Sequence, residues 1–180
     1  MEIRNATIAD VALCERIEPI FRTSHVWKVE HRADENGFGI TFSRARLPQE
    51  MPVEAPYEVG SLFGLWQRHR CFLVAEDKGL VLGYLIMQPR GPKDEGWVSH
   101  LLVATPFEGR GVAAKLLEGA EAWGRENRLS SITVAVQTRN DPLIQLLPKR
   151  GYSFRGFVEG YFGGSEAALL FSLALARARQ

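Results

Sequence analysis

The sequence predicts an α+β domain built on a mixed, mostly antiparallel sheet, and three observations carry that reading. Asp34-Glu35-Asn36-Gly37 and Asp77-Lys78-Gly79 are tight-turn signals set between apolar runs, so each predicts a β-hairpin. Val98 to Val103, Glu108 to Ala114 and Ala113 to Asn127 read in succession as strand, glycine turn and amphipathic helix. Ile132, Val134 and Val136 then alternate in a strand that the helical crossover makes parallel to the strand before it.

Taken in chain order, Glu2 to Arg4 predicts a short first strand. A helix follows from Asp10 to Phe21, with Val11, Leu13, Cys14, Ile17 and Ile20 on its apolar side and Pro19 weakening its last turn. Val26 to Arg32 and Phe38 to Arg46 flank the first turn, whose Asn-Gly supplies the positive φ of a tight hairpin. Pro48, Pro52 and Pro56 predict a loop, and a short helix is expected from Tyr57 or Val59 to His69. Phe72 to Glu76 and Leu80 to Gln88 form the second hairpin at the sheet centre, and Pro89 to Gly96 leads antiparallel into Trp97 to Ala104. In the helix after the glycine turn, Ala113, Leu116, Leu117, Ala120 and Trp123 are spaced for burial, while Lys115, Glu118, Glu121 and Arg125 are expected in water. Asn140 opens a further helix that Pro148 should kink or shorten, and Ser153 to Val158 with Ala167 to Leu175 make a terminal hairpin around Gly160 to Ser165.

A chain of 180 residues, 46% hydrophobic and 24% charged, fits one domain spanning 1–180 with one sizeable core. The formal net charge of +1 recommends neither nucleic acid nor an anionic membrane as partner. No apolar run reaches the ~18 residues of a membrane span, and Met1 to Asp10 shows no secretory pattern, so a cytoplasmic protein is expected. Cys14 and Cys71 lie in apolar stretches without CxxC or histidine spacing and read as buried thiols; no metal is expected.

The candidate chemistry lies at the glycine turn. The start of an α-helix leaves about four backbone N–H groups unpaired at the positive end of its dipole, which makes an anion site. Gly109 and Gly111 remove the Cβ atoms that would keep a diphosphate from the backbone, and Arg110 between them can stay in solvent or reach a further phosphate. The dinucleotide pattern Gly-x-Gly-x-x-Gly is excluded because Lys115 to Gly119 supplies no third glycine in place. The NTPase pattern is excluded because no Gly-Lys-Ser/Thr occurs.

Cys71 to Tyr152 resembles the nucleus of the GNAT superfamily of acyl-CoA-dependent N-acetyltransferases. Glu108-Gly109-Arg110-Gly111-Val112-Ala113 follows that family's Arg/Gln-x-x-Gly-x-Gly/Ala loop except at its first position. Upstream, Val98, Leu101, Val103 and Pro106 follow its apolar-x-x-Leu-x-Val-x-x-Pro pattern with the proline within a residue of its place, and downstream Asn140 to Gly151-Tyr152 has the length of its Asn-led helix. The resemblance implies a three-layer fold with helices on both faces of the sheet, and acetyl-CoA as cosubstrate held by Leu101, Leu102, Val103, Glu108 to Ala114 and Asn140. The Asn140 amide could cap its helix, bond the pantetheine arm, or do both. Val136 to Asn140, the early hairpin, Glu54 to Tyr57 and the small residues before Phe171 further resemble the streptothricin acetyltransferase branch, which points to a small amine as acceptor.

The chemistry so implied is direct attack of a neutral amine on the thioester in a ternary complex. An amine of pKa near ~10 must first lose a proton. Relatives often use a Glu on the strand before the loop, where this chain has Trp97, Ser99 and His100. His100, with an unperturbed pKa near ~6.5, is the candidate base, although strand alternation sets it opposite Ser99, Leu101 and Val103 unless a bulge intervenes; otherwise it is a core histidine. Backbone N–H groups at Leu102 to Val103 could hold the oxyanion. Leu147 stands where relatives place a Tyr that protonates the thiolate, and Tyr161 is the substitute candidate. Glu108 is expected to turn its side chain to solvent. Trp27, Phe42 and Trp97 are candidates for the acceptor pocket, and a homodimer is compatible with all of this. Two other readings stay open: a non-catalytic acyl-CoA-binding module, and an acetyltransferase acting on a protein amine.

Overall fold

A computed structural model describes residues 1–56, 62–68, 71–90, 94–164 and 166–175. The elements in order are β1 (Glu2–Asn5), α1 (Ile8–Cys14), β2 (Ile20–Asp34), β3 (Gly37–Glu54), α2 (Leu62–Arg68), β4 (Cys71–Asp77), β5 (Leu80–Arg90) and β6 (Glu95–Val103). A 3-10 turn (Thr105–Phe107), α3 (Val112–Glu126), β7 (Ser131–Gln137), α4 (Asp141–Lys149), β8 (Ser153–Val158) and β9 (Ala168–Ala174) complete them.

Seven strands form one sheet in the order β1-β4-β5-β6-β7-β9-β8, and β2 with β3 forms a separate two-stranded sheet. Every pairing is antiparallel except β6 with β7, where the α3 crossover imposes the parallel direction that the sequence predicts. Alternate residues of the central strands serve two cores. Leu73, Ala75, Leu85 and Met87 pack with Leu116, Leu117 and Ala120 of α3 and with Leu143, Ile144 and Leu147 of α4. Phe72, Val74, Tyr84 and Ile86 pack with Val11 and Cys14 of α1 and Leu62 of α2. The sheet is therefore buried on both faces, which is why β4 and β5 read as continuous apolar runs. The fold is α+β with helices on both sides, as expected.

Three stretches depart from expectation. The first helix ends at Cys14 rather than Phe21, and Ile20 already belongs to β2, because Pro19 cannot continue the helix and pushes its predecessor toward extended backbone. The hairpin is longer than predicted: β3 runs to Glu54 through Pro48 and Pro52, which a two-stranded ribbon with two open edges tolerates. Pro52 lies opposite Arg22, and Pro48 falls where the register jumps from Thr23–Met51 to His25–Arg46. Glu121, expected in water, is 5% exposed and accepts from Nε and Nη2 of Arg150 at 3.0 and 2.9 Å, tying α3 to the end of α4. Ala113 and Trp123 are half-buried. Pro148 sits in the last turn of α4, which stops one residue later. The first residues of the helix expected from Tyr57 or Val59, and the centre of the turn from Pro89 to Gly96, lie outside the described residues.

Candidate functional site

The glycine loop has the geometry an anion site requires. Gly109 and Gly111 have φ of +72° and +79°, a left-handed conformation that side chains with Cβ rarely adopt, and open space lies over both α-carbons. Gly111 is the N-cap of α3, so no side chain caps the helix, and its first turn carries no acid. The first intrahelical bond runs from Lys115 N–H to Gly111 C=O at 3.1 Å, which leaves the N–H groups of Val112, Ala113 and Ala114 without helical acceptors. The positive end of a fifteen-residue helix thus faces outward beside two bare α-carbons.

A slot opens from this loop along the sheet. The parallel pairing of β6 with β7 covers only Glu95–Val98 and Ser131–Val134. Beyond it, β6 carries a bulge: Ile86 pairs with His100 and Met87 with Val98, leaving Ser99 as the extra residue. The pairing with β7 ends at this point, and a cleft of about 590 Å³ runs beside Leu101 to Val103 between the glycine loop, α4 and the hairpin. Leu101, Leu102, Val103, Glu108, Gly109, Gly111, Val112, Ala113, Ala114 and Asn140 all line it. Arg110 does not; its guanidinium stands 5.6 Å from the ring centroid of Phe107. Asn140 caps α4, accepting from Leu143 N–H at 3.2 Å, and still faces the cleft.

These residues fit coenzyme A. Bare glycines and unpaired amides face the diphosphate end, and the apolar side chains of Leu101, Val103, Leu143 and Leu146 line the length a pantetheine arm would follow. Among the described residues, no group of three or more His, Cys, Asp or Glu is placed to hold a metal ion, and no helix is long and apolar enough to cross a membrane. Cys14 and Cys71 are fully buried, and burial pushes both thiols up to about 12.

Other candidates lie elsewhere. His100 lies opposite Leu101 and Val103, as strand alternation predicts, on the α1–α2 side, where it is buried with its ring 6.4 Å from that of Tyr84 and its Nδ1 3.1 Å from Ser99 Oγ. Ser99 Oγ also donates to Ile86 C=O at 3.3 Å. Neither side chain lines the cleft. Tyr161 packs edge-on against Phe162 in the turn between β8 and β9. Phe42 packs edge-on against Phe154 and Phe157, and Trp97 lies beneath the Arg90 guanidinium at 4.3 Å. Trp27 donates from Nε1 to Asp141 Oδ1 at 3.0 Å. None of the four borders the cleft. Leu147 is 0% exposed and belongs to the core under α4.

The opposite wall, which motif reading missed, comes from the hairpin. Ile20, Phe21 and Arg22 of β2 and Glu50 of β3 line the cleft, with Arg22 Nε bonded to Glu50 Oε2 at 2.7 Å. The hairpin is fastened to α4 at Asp141, which accepts from Arg44 Nε and Nη2 at 2.7 and 2.8 Å and has His25 Nδ1 at 3.9 Å. These bonds, Arg44 first, hold the Asp141 carboxyl below the usual carboxylate range against the opposing effect of burial. A backbone bond from Trp27 N–H to Thr138 C=O at 2.8 Å adds to the attachment. The length of the alternating strands around Asn36-Gly37 was the one available signal. Glu108 corrects the expectation of a solvent-facing side chain: it lines the cleft, and its Oε1 is buried without a hydrogen-bond partner.

Comparison with known proteins agrees with this geometry. A streptothricin acetyltransferase of Escherichia coli is 34% identical over 59 residues, a match spanning 33% of this chain and 34% of that protein, about a third of its length. The structure of a nourseothricin acetyltransferase superposes with a TM-score of 0.79 at 21% identity, covering 97% of this chain and 98% of that one. A candidate streptothricin acetyltransferase from Bacillus anthracis str. Ames, in complex with acetyl coenzyme A, superposes with a TM-score of 0.75 at 15% identity over 96% and 98% of the two chains. Residues 26–152 match the acetyltransferase (GNAT) family. That match spans most of the chain, and with the glycine-fronted helix and the cleft beside β6 it establishes that this chain belongs to the GNAT family of acetyltransferases.

Proposed function

We propose that this chain is an acetyl-CoA-dependent N-acetyltransferase that acetylates a primary amine of a small molecule by direct attack in a ternary complex. One observation carries the reading: the unpaired amides of α3 and the end of β6 beyond its pairing with β7 open into a single cleft, so one ligand can be held by both. When bound there, acetyl-CoA supplies an activated acetyl thioester. Gly109, Gly111 and the amides of Val112 to Ala114 would hold its diphosphate. Leu101 to Val103 and Leu143 would flank its arm and exclude water, while Asn140 offers an amide along it. The hairpin wall of Phe21, Arg22 and Glu50 would orient the amine. The relatives named for streptothricin and nourseothricin favour a small-molecule acceptor over a protein one.

Two measurements test this. Coenzyme A is expected to raise Tm, and thiol release from acetyl-CoA is expected with nourseothricin or another small amine. Binding without thiol release on any amine would instead establish the non-catalytic acyl-CoA-binding module, which the burial of Leu147 at the usual Tyr position favours.

A further inference from the structure

Pro142, Gln145, Leu146 and Lys149 line the cleft and recur at spacings of three and four, so one face of α4 follows it from the first turn to the last, about 10 Å at ~1.5 Å per residue. The two ends of this helix are anchored differently. Its N-terminal end is held at the hairpin through Asp141, and its C-terminal end at α3, where Arg150 donates from Nε and Nη2 to Glu121 at 3.0 and 2.9 Å. Lys149 therefore projects into the cleft from a helix end fixed against the helix that carries the anion cradle. Glu50 and Glu108 place two carboxylates on the same cleft, and Arg22 balances one of them, bonded to Glu50 at 2.7 Å. Neighbouring cations are engaged elsewhere: Arg110 is turned to the Phe107 ring, Lys115 is bonded to Glu118 at 2.8 Å, and Arg150 is taken by Glu121. Lys149 is the cleft-lining cation that no carboxylate takes up among the described residues. Glu108 stands where the GNAT loop opens on Arg or Gln, and Lys149 supplies from α4 a positive charge that this first position lacks.

We propose that Lys149 binds the 3′-phosphate of coenzyme A and makes this chain select coenzyme A over its dephospho form. The assignment rests on the coenzyme being held in this cleft as proposed above, and not on turnover. Coenzyme A carries two kinds of anion, a diphosphate and a phosphate monoester on the 3′ oxygen of its ribose. The bare glycines and the amides of Val112 to Ala114 suit the first, because they belong to fixed backbone. A lysine is a compact charge on a flexible stem, which suits a monoester on a ribose at the solvent end of the cleft, where Lys149 is itself exposed. With Asn140 at the pantetheine end of α4, the nucleotide end of the ligand meets the last turn of that helix. Gln145, one turn before Lys149 on the same face, offers its amide to the same nucleotide.

The test measures binding of coenzyme A and of dephospho-coenzyme A to the full chain by calorimetry, at low and at high salt. Wild type is expected to bind coenzyme A about 5-fold more tightly than the dephospho form, an advantage that shrinks as salt rises because the lysine is exposed. Lys149→Ala should abolish that preference while holding dephospho-coenzyme A as tightly as wild type does. Lys149→Arg should retain the preference, and Lys149→Glu should reverse it. Equal affinity of wild type for the two forms would overturn the assignment. So would a Lys149→Ala variant that loses affinity for both alike, which would put the cation on the diphosphate instead. Lys149 also stands in the last turn of α4, where a cation complements the helix dipole. A Lys149→Ala variant with a lower Tm and an intact preference would reduce it to that structural part and overturn the assignment as well. A wild type that binds neither form would overturn the coenzyme reading itself, whereas each of the other failures touches Lys149 alone.

Discussion

The glycine loop and α3 rest on Leu116, Leu117 and Ala120 in the main core, whereas the β2–β3 hairpin that closes the opposite wall lies outside the main sheet and is fastened by ion pairing at Asp141, by the Trp27–Thr138 backbone bond and by Phe42 packed on Phe154 and Phe157. One wall is positioned by apolar packing and a positive φ, both insensitive to pH and salt. The other adds to its aromatic packing a carboxylate shared between an indole N–H and a guanidinium, and to that extent depends on ionisation.

Breaking the first wall should have the largest effect. Gly111→Val places a β-branched residue at φ +79°, at a cost of about 1–3 kcal/mol in strain, and should abolish the rise in Tm that coenzyme A produces. Leu147→Tyr probes the same side of the molecule from its core. It forces extra volume and a hydroxyl into a fully buried site, and should lower unfolding stability in urea by about 1–3 kcal/mol with no gain in kcat. The second wall is sharpened by Asp141→Asn. The folded carboxyl lies below an unfolded value near ~3.9, so its stabilisation is complete above that value and is lost as pH falls through the folded one. The variant should have a lower Tm than wild type at neutral pH and a shallower loss on acidification, so that the two curves converge in acid. Smaller still is the thiol response: with Cys14 and Cys71 pushed up to about 12, iodoacetamide should label the native chain only after urea is added. Phe38, 86% exposed at the hairpin tip, sets the baseline; Phe38→Ser should shift stability by no more than about 0.5 kcal/mol.

The legible parts of the site were those governed by short-range rules. Gly109, Gly111 and the helix behind them follow from φ and from unpaired amides, and the parallel β7 follows from the α3 crossover. Asn140 as the cap of α4 is likewise local chemistry. Other features hung on events distant in sequence. Strand alternation set His100 opposite Leu101 and Val103, where the structure has it, whereas the extra residue at Ser99, which puts Val98 on the same side as Leu101, is something a period-two pattern cannot report in advance. Glu121 looked solvent-facing because its partner, Arg150, lies 29 residues away. The prolines of β3 read as loop signals because a sequence does not declare how many edges a strand leaves open.

From residue order alone came the α+β class, the order of most strands and helices, and the anion-binding turn, since hydrophobic period, turn chemistry and glycine conformation act within a few residues. Tertiary structure alone decided that the hairpin forms the second wall, that Asp141 fastens it, and that Glu108 turns inward. Each of those depends on which charges meet across a hundred residues of chain and on how much water their meeting excludes.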